Sequence, residues 1–382
     1  MRRIICIFAA YIVFAMRKFI YNYPEWPNFI WDTEGMSLLC GNVRNLQGKL
    51  IGKMESLGFD LKNQANLETL TSDVVKTSEI EGYILNPDEV RSSISRRLGM
   101  EISGLVESDR FIDGVVDMTL DATRNYNKLL SEERLFDWHC ALFPTGRSGM
   151  YKIITGNWRD DSSGPMQVVS GAVGKEKVHF QAPEATVLDK EMQIFIEWFN
   201  KKSNVDLIIK AGIAHLWFVT LHPFEDGNGR IARALTDMIL SKSDDISQRF
   251  YSMSTQIRTQ RNEYYAFLEK TQRGGLDITN WLKWFLNCLK NSIMESENTL
   301  KKIIDKHVFL NKHIDIALNG RQKTMINKLL DDFYGNLTTS KWAKITKCSS
   351  DTALRDIQDL VKKGLLRKAE EAGRSTNYEL VK

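Results

Sequence analysis

One stretch of fourteen residues combines the side-chain types that acid–base chemistry on phosphates requires. It runs from Thr220 to Arg233 and reads TLHPFEDGNGRIAR. His222 follows the apolar run LIIKAGIAHLWFVTL, so its imidazole is predicted to lie where a helix ends. An imidazole with its ordinary pKa near ~6.5 is an effective general base at physiological pH. The pattern therefore predicts a proton acceptor on a loop between two helices.

The residues that follow the histidine predict a binding site for phosphate groups. Gly227, Asn228 and Gly229 permit left-handed backbone angles, which can point successive N–H groups inward at the start of the next helix. Arg230 and Arg233 share one face of that helix, so both guanidinium groups can reach oxygens of one polyphosphate. These residue types do not decide between transfer of a phosphate group and transfer of AMP.

Asp226 lies between the histidine and the glycines. This position suits Mg²⁺ on the phosphates, because Mg²⁺ prefers one or two carboxylates together with phosphate oxygens.

The complete pattern H-x-F-x-[DE]-G-N-G-R-x-x-R is the signature of the Fic family, and this sequence matches every fixed position. The resemblance implies a mainly α-helical Fic (Fido) core that transfers AMP from ATP to a Ser, Thr or Tyr hydroxyl of a target protein. It gives His222 the role of deprotonating that hydroxyl, which attacks the α-phosphate in line and expels pyrophosphate. Asp226 would hold Mg²⁺, and Arg230 and Arg233 would bind the outer phosphates. Asn228 and the backbone from Gly227 to Gly229 would cradle phosphates.

A second segment resembles the Fic flap, a hairpin that aligns the target segment by strand addition. The sequences MQVVS and KVHFQAP flank a glycine-containing turn, Gly171 to Gly174, and predict a β-hairpin. A plain surface hairpin is the alternative. The resemblance assigns target docking to Gln167, Val168, Val169, Val178, His179 and Phe180.

The sequence RTQRNEYYAFLE, Arg258 to Glu269, resembles the Fic helix whose aromatic residues lie near the nucleotide base. That position would bring Tyr264 and Tyr265 to the base, and packing of both in the core is an equal alternative. His215, seven residues before His222, is expected to pack in the core.

The segment KTSEIEGYIL, Lys76 to Leu85, places Thr77, Glu81 and Gly82 in the order [ST]-x-x-x-E-[GN]. This order resembles the inhibitory motif of self-regulating Fic proteins, and a solvated helix face is the alternative. The resemblance implies that Glu81 forms a salt bridge with Arg233 and occupies the space of the ATP γ-phosphate. In some relatives the equivalent glutamate also helps to remove AMP from the target, and this sequence does not decide that point.

The last segment predicts two short helices followed by strand, turn and strand, which resembles a winged helix. Leu354, Ile357 and Val361 are expected on one face of its second helix. Residues 336–382 contain ten Lys or Arg and six Asp or Glu, a mild surplus for a DNA binder. A protein-interaction role is favoured over DNA binding. Basic residues that could contact phosphates are Arg355, Lys362 and Arg374, whereas acidic residues that would oppose them are Asp351, Asp356 and Asp359.

Four parts are predicted along the chain. Residues 1–62 hold the N-terminal segment and a small Fic-associated module, residues 63–290 the Fic core with its inhibitory helix, residues 291–330 a helical linker, and residues 331–382 the winged-helix-like domain. The sequence YPEWPNFIWD resembles the small domain that precedes the Fic core in a bacterial subgroup.

The start of the chain carries a basic and apolar pattern. Arg2 and Arg3 precede an apolar run of thirteen residues from Ile4 to Met16, too short to span a bilayer. No A-x-A-like cleavage site follows it. We expect Met16 to be the true start, with residues 1–15 read from an upstream start codon, and a signal peptide or a membrane anchor as the alternatives. Stable membrane association is not expected.

Composition limits the function further. The 52 basic and 48 acidic residues leave a formal charge of +4, too small to indicate nucleic-acid binding by the whole protein. The five cysteines are scattered and never form a C-x-x-C pair, which predicts a reducing, cytoplasmic location without disulfides or a zinc site.

Three hypotheses remain after the sequence is read. The leading one is a self-inhibited AMP transferase whose target is unknown and can be the protein itself, acting alone or as a homo-oligomer. The second is a Fic-type transferase that uses another donor. The third is a DNA-binding regulator whose core senses nucleotide.

Overall fold

The structure is a computed structural model that describes residues 19–100, 105–162, 164–170, 177–330, 333, 335–369 and 376–381. The chain divides into two compact units, one up to Ser296 and one from Glu297 onward. The expectations for residues 1–15, for the turn Gly171 to Gly174 and for Arg374 fall outside the described residues. Among the described helices, none has the length and apolar character needed to cross a membrane.

The first unit is mainly helical, which confirms the predicted fold class. Its helices are α1 (Thr33–Glu55), α2 (Phe59–Ile80), α3 (Pro87–Leu98), α4 (Arg110–Arg124), α5 (Glu132–Leu142), α6 (Leu188–Asn200), α7 (Leu207–Leu221), α8 (Asn228–Asp244), α9 (Met253–Thr259), α10 (Arg261–Gln272) and α11 (Thr279–Lys312), which continues into the second unit. Its short strands are β1 (Arg147–Ser148), β2 (Tyr151–Lys152), β3 (Gln167–Ser170) and β4 (Lys177–Gln181).

Helix α7 lies at the centre of this unit. All of its residues from Ile208 to Leu221 are buried, as expected for a helix that is apolar on every face. Asp206 caps its N-terminus by accepting a hydrogen bond from the N–H of Ile208. Trp281 of α11 donates its indole N–H to the Gly212 carbonyl at 2.8 Å, so α11 packs directly on the α7 backbone. Helix α7 therefore fixes the position of whatever follows Leu221.

Helix α2 carries the predicted inhibitory motif at its C-terminal end and packs against α9 and α3. Asp73 in its middle accepts a hydrogen bond from the Ser252 hydroxyl. Arg261 at the start of α10 donates to the carbonyl of Ile80, the last residue of α2. These bonds hold the end of α2 in one place.

Strands β3 and β4 form the predicted hairpin, with Val168 paired to Phe180 and an irregularity in the register after Val168. Phe180 is buried and packs edge-on against Phe19 at 5.1 Å between ring centroids. Arg273 of α10 donates to the carbonyls of Val178 and His179. The hairpin is therefore attached both to α10 and to the N-terminal segment.

The N-terminal segment packs on the first unit through its backbone and through side chains. Ile30 donates to the Leu276 carbonyl and accepts from the Ile278 N–H, both at 2.9 Å. Trp26 donates its indole N–H to Glu191 of α6 at 2.9 Å. Residues 19–55 therefore belong to the same compact unit as α7.

The second unit contains the predicted order of two short helices followed by two strands, and one more helix precedes them. Its elements are α12 (Gly320–Leu330), α13 (Thr339–Thr346), α14 (Ser350–Lys362), β5 (Leu366–Lys368) and β6 (Tyr378–Leu380). Strands β5 and β6 pair antiparallel, and Leu337 forms a further bridge with Tyr378. Its assignment as a winged helix stays a prediction.

Leu354, Ile357 and Val361 lie on one side of α14, as expected, but they are buried to different extents. Ile357 is fully buried, whereas Leu354 and Val361 are 37% and 36% exposed. The buried face of α14 also includes Asp356, which accepts a hydrogen bond from Arg321 Nε at 2.6 Å. An ion pair within the unit therefore forms part of that face.

Helices α4 and α5 pack so closely at Gly114 that a side chain there would overlap the carbonyl oxygen of Ala141. We expect Gly114→Ala to lower the free energy of unfolding by about 1–3 kcal/mol, because the two helices must move apart. Gly48→Ala in α1 is the control, since a Cβ there meets no atom within 4 Å and alanine favours a helix by about 0.5–1 kcal/mol. Urea unfolding measures both variants, and a shift of both midpoints in one direction would contradict the packing.

His215 links three core helices through hydrogen bonds with Thr236 and Tyr264. Burial lowers its pKa from 6.5 to about 3. Between these pH values the unfolded chain therefore binds one more proton than the folded chain. The free energy of unfolding decreases there by about 1.4 kcal/mol for each unit by which the pH is lowered. We expect His215→Gln to reduce the slope of unfolding free energy between about pH 6 and pH 5 by that amount. His307→Gln, at a partly exposed position of α11, is the control, and equal slopes in the two variants would refute the assignment.

Candidate active site

The loop between α7 and α8 is held in one conformation by its own residues. Asn228 accepts a hydrogen bond from the Phe224 N–H at 3.0 Å and donates its amide to the Phe224 carbonyl at 2.7 Å. Phe224 is fully buried. Gly227 has φ +86°, which glycine adopts at little cost. The Asn228 side chain thus stabilises the loop, whereas the sequence suggested that it binds phosphates.

His222 caps the C-terminus of α7 in a left-handed conformation, with φ +50° and ψ +55°. Its Nδ1 lies 3.3 Å from the Val219 carbonyl. Because a carbonyl only accepts, Nδ1 carries the proton and Nε2 is the basic nitrogen. Burial, helped by the nearby Arg159 charge, lowers the His222 pKa from 6.5 to about 4. The imidazole is therefore neutral at physiological pH and able to accept a proton.

Asp226 is positioned by groups on both sides of the loop. One carboxylate oxygen accepts from the Gly227 N–H, and the other accepts from the Ser148 hydroxyl next to β2. The Asp226 carbonyl accepts from Nε2 of His139 at 3.2 Å. His139 also accepts at Nδ1 from the Gly156 N–H, so its ring is a neutral Nε2–H tautomer.

His139 also supports the loop by its ring. It stacks on Phe224 with 4.2 Å between ring centroids and 11° between ring planes. Burial lowers its pKa to about 4, so the neutral form that these contacts require is the stable one. The sequence gave no signal for this role, because His139 stands alone on α5.

Arg230 is completely buried, and none of its guanidinium nitrogens has a hydrogen-bond partner within the described part of the chain. Three aromatic rings surround it at 4.9–5.5 Å, those of Tyr83, Phe111 and Phe143. The nearest Asp226 oxygen is 3.9 Å away. A buried charge without hydrogen bonds is costly. The donors of Arg230 are therefore suited to an anionic ligand.

Arg233 is also buried, and the segment from Thr77 to Glu81 takes most of its donors. Its Nε donates to the Thr77 hydroxyl at 2.6 Å, and its Nη2 donates to the Thr77 carbonyl at 3.0 Å. The same Nη2 donates to Glu81 Oε1 at 2.6 Å. Nη1 has no partner among the described residues. The structure therefore contains the Glu81–Arg233 salt bridge that the resemblance implies, and it adds Thr77 as a further partner of Arg233.

The Glu81 carboxylate lies at the N-terminus of α8. A side chain at Gly229 would overlap Glu81 Oε1, so the close approach requires glycine at that position. Gly82, with φ +90°, turns the chain away directly after Glu81. Helix N-termini attract anions because their N–H groups are free and the helix dipole is positive there. Glu81 therefore occupies the anion site that the sequence predicts for phosphates.

The two tyrosines of α10 are placed differently. Tyr264 is 2% exposed, and its hydroxyl lies 2.9 Å from Nε2 of His215. Tyr264 and His215 therefore both pack in the core. Tyr265 is only partly buried and stacks under the Arg261 guanidinium at 5.2 Å. Of the two rings, Tyr265 is the one still open to a ligand.

The predicted docking residues have distinct environments. Val169 is 47% exposed, Gln167 is exposed, and Val168 and Phe180 pack with Phe19. His179 lies between Glu269 and Ser170, with its two ring nitrogens at 2.7 Å and 2.6 Å from their oxygens. Val178 is partly buried. The exposed side of the hairpin is therefore β3.

No group of three or more His, Cys, Asp or Glu side chains able to hold a metal occurs among the described residues. A metal here would depend on Asp226 together with oxygens of a bound phosphate. That donor set suits Mg²⁺, which keeps waters and binds through one or two carboxylates.

Comparison with known proteins agrees with this geometry. Residues 129–240 match the family model described as the Fic/DOC family, and residues 19–100 match one described as a domain of unknown function (DUF4172). Protein adenylyltransferase fic-1 of Caenorhabditis elegans is 31% identical over 212 residues, and that of Caenorhabditis briggsae is 32% identical over 212 residues. Each alignment covers 55% of this chain and 38% of the relative, so the chain spans about two fifths of these proteins.

The crystal structure of a Fic family protein from Desulfovibrio desulfuricans G20 has a similar fold. The TM-score is 0.50 at 18% identity, over 92% of this chain and 97% of that chain. The motif loop, the buried arginines and the family match all fall in one region of the chain. The match to the Fic/DOC family therefore covers residues 129–240, the part of the chain that holds His222, Arg230 and Arg233.

Proposed function

We propose that the protein is a protein adenylyltransferase, which transfers AMP from ATP to a hydroxyl group of a target protein. The observation that carries the proposal is Arg230, whose buried guanidinium lacks hydrogen-bond partners among the described residues. It lies on the helix that directly follows the loop of the neutral His222. The curated relatives named above are protein adenylyltransferases. Their name supports the same reaction for this chain.

Each step of the proposed reaction can be assigned to a residue of the loop or of the helix that follows it. Arg230 and Arg233 bind the phosphates at the N-terminus of α8. Nε2 of His222 takes the proton of the target hydroxyl, whose oxygen bonds to the α-phosphorus while the bond to pyrophosphate breaks. The proton remains on His222, and pyrophosphate leaves with the electron pair of the broken bond. Asp226 would hold Mg²⁺, which would neutralise phosphate charge when bound.

Glu81 would inhibit this reaction in the conformation that the structure shows. Its carboxylate binds Arg233 and lies at the proposed phosphate site. ATP would therefore lack Arg233 as a partner and would be repelled by the negative charge of Glu81. Two unit charges ~4 Å apart at an effective dielectric near 20 interact by at most about 4 kcal/mol. Release of this contact can therefore raise activity by up to about a thousandfold.

Intact-mass spectrometry after incubation with ATP and Mg²⁺ tests both statements, with self-modification as the readout. We expect Glu81→Gly to gain AMP, because Arg233 becomes free to bind phosphate. The wild type and the double variant Glu81→Gly, His222→Ala should gain none. Glu79→Gly is the matched control, since Glu79 lies on the same helix and pairs with Lys76 and Arg258 instead.

Calorimetric titration with ATP covers the case in which the protein does not modify itself. Glu81→Gly should bind ATP more tightly than the wild type, and Arg230→Met in that background should weaken binding. The AMP-transferase proposal is wrong if Glu81→Gly neither binds ATP more tightly nor labels any protein of a cell lysate with AMP. Inhibition by Glu81 is contradicted if Glu79→Gly activates as strongly.

Nucleic-acid binding by the second unit is a second candidate function. Asp356 and Asp359 of α14 are hydrogen-bonded to basic side chains of the same unit, so their charges are offset. The exposed positions of α14 then include Arg355 and Lys362, with Asp351 at the N-terminal end. This arrangement is more favourable for phosphate contacts than the sequence alone indicates.

Fluorescence anisotropy with labelled duplex DNA at several salt concentrations tests this candidate. If α14 contacts phosphates, the double variant Arg355→Ala, Lys362→Ala should bind more weakly and lower the salt slope by about 2. His222→Ala should bind as the wild type does. Binding that is absent, or that does not depend on salt, would eliminate the second unit as a nucleic-acid module.

A further inference from the structure

Arg159 lies between the catalytic loop and the chain that leaves the β3–β4 hairpin, and it is 3% exposed. Its Nε donates to the His222 carbonyl at 2.8 Å. Its Nη2 donates to the Pro183 carbonyl, two residues after β4 ends at Gln181. One guanidinium therefore joins the general base to the hairpin.

The segment around Arg159 makes further hydrogen bonds to the catalytic loop and to the chain after β4. The Arg159 N–H donates to the Pro223 carbonyl at 2.9 Å. Asp161 pairs with Arg159 Nη1 at 2.8 Å, and its other oxygen accepts from the Ala185 N–H at 2.6 Å. Two residues of one short segment thus bind both the catalytic loop and the chain after β4. The Asp161 carboxylate also offsets the charge of the buried guanidinium.

His222 needs such support because of its backbone conformation. A residue other than glycine at φ +50° is uncommon, and the surrounding structure must stabilise it. The carbonyl of His222 lies beyond the last residue of α7, and Arg159 supplies the donor that it accepts. Hydrogen bonds from a charged donor are about twice as strong as neutral ones. Arg159 is thus suited to hold the imidazole in one direction.

We propose that Arg159 is a positioning residue for AMP transfer, which fixes His222 relative to the hairpin that aligns the target hydroxyl. This inference rests on the proposed function. Arg159 touches neither of the two phosphate-binding arginines in the described hydrogen bonds. Its loss should therefore slow the transfer step and leave nucleotide binding intact. The same charge also helps to keep the His222 pKa low, which favours the unprotonated base.

Arg134 provides a matched control for the structural cost of losing a mostly buried arginine. Its Nε pairs with Asp121 at 2.7 Å, and its other nitrogens donate to backbone carbonyls of residues 121–129. None of these partners belongs to the catalytic loop or to the hairpin. Arg134→Met should therefore destabilise the fold without altering the direction of His222.

The test compares Arg159→Met, Arg159→Lys and Arg134→Met, each with Glu81→Gly, below their melting temperatures. We expect Arg159→Met to lower kcat by about 100-fold, the effect of a misplacement of about 1 Å. Its KM for ATP and its ATP affinity should stay within about 3-fold, because both phosphate-binding arginines remain. Arg159→Lys should recover part of kcat, since lysine keeps the charge but not the forked geometry. If Arg159→Met does not fold, the kcat of Arg159→Lys is compared with that of the parent instead.

The inference is overturned if Arg159→Met retains kcat within about 3-fold of its parent, or if Arg134→Met loses as much. A readout without activity is the ¹⁵N NMR signal of the His222 ring. The parent should show the Nδ1–H tautomer alone, and Arg159→Met should show a mixture. An unchanged tautomer would also overturn the inference. If the parent Glu81→Gly transfers no AMP, the proposed function is wrong. The NMR signal of the His222 ring still decides whether Arg159 orients His222.

Discussion

Two buried guanidinium groups beside the N-terminus of α8 are the constraint on which the rest of the site depends. Arg230 and Arg233 are each at most 2% exposed, and the adjoining helix dipole adds positive potential. Such a concentration of positive charge needs an anion. Glu81 meets that need for Arg233, whereas Arg230 has aromatic rings around it and no hydrogen bond in the described residues. The same charges that suit a polyphosphate therefore also attract the carboxylate that takes its place.

The scaffold keeps these charges in place through helices that are buried for other reasons. Helix α7 is apolar on all faces and ends at His222. Helix α2 is fixed at both its middle and its end by hydrogen bonds to the region of α9 and α10. The loop and the segment from Thr77 to Glu81 consequently meet at a fixed distance, and a movement of α2 would change the partner of Arg233. The proposed inhibition and the proposed phosphate binding thus depend on one contact, that of Arg233 with Glu81.

Supporting residues of the loop come from distant parts of the chain. His139 on α5 contacts the Asp226 carbonyl, and Arg159 contacts the His222 carbonyl. Both act on backbone carbonyls, which any residue type offers, so neither contact leaves a pattern in the motif itself. Asp356 in the second unit is a related case, because its burial depends on Arg321 from another helix. Local apolar spacing does not show that such a residue is buried.

The sequence by itself determined the helical fold class, the β3–β4 hairpin, the position of His222 at a helix end and the glycine-containing loop before α8. These features follow from apolar periodicity and from backbone preferences, which act between near neighbours. Only the tertiary structure decided that Asn228 fastens the loop, that Tyr264 packs in the core and that Glu81 reaches the backbone at Gly229. It also supplied His139 and Arg159. Arg233 meets Thr77 across 156 positions and Arg159 meets His222 across 63. Contacts over such separations depend on how helices pack, and no local pattern of residues records that arrangement.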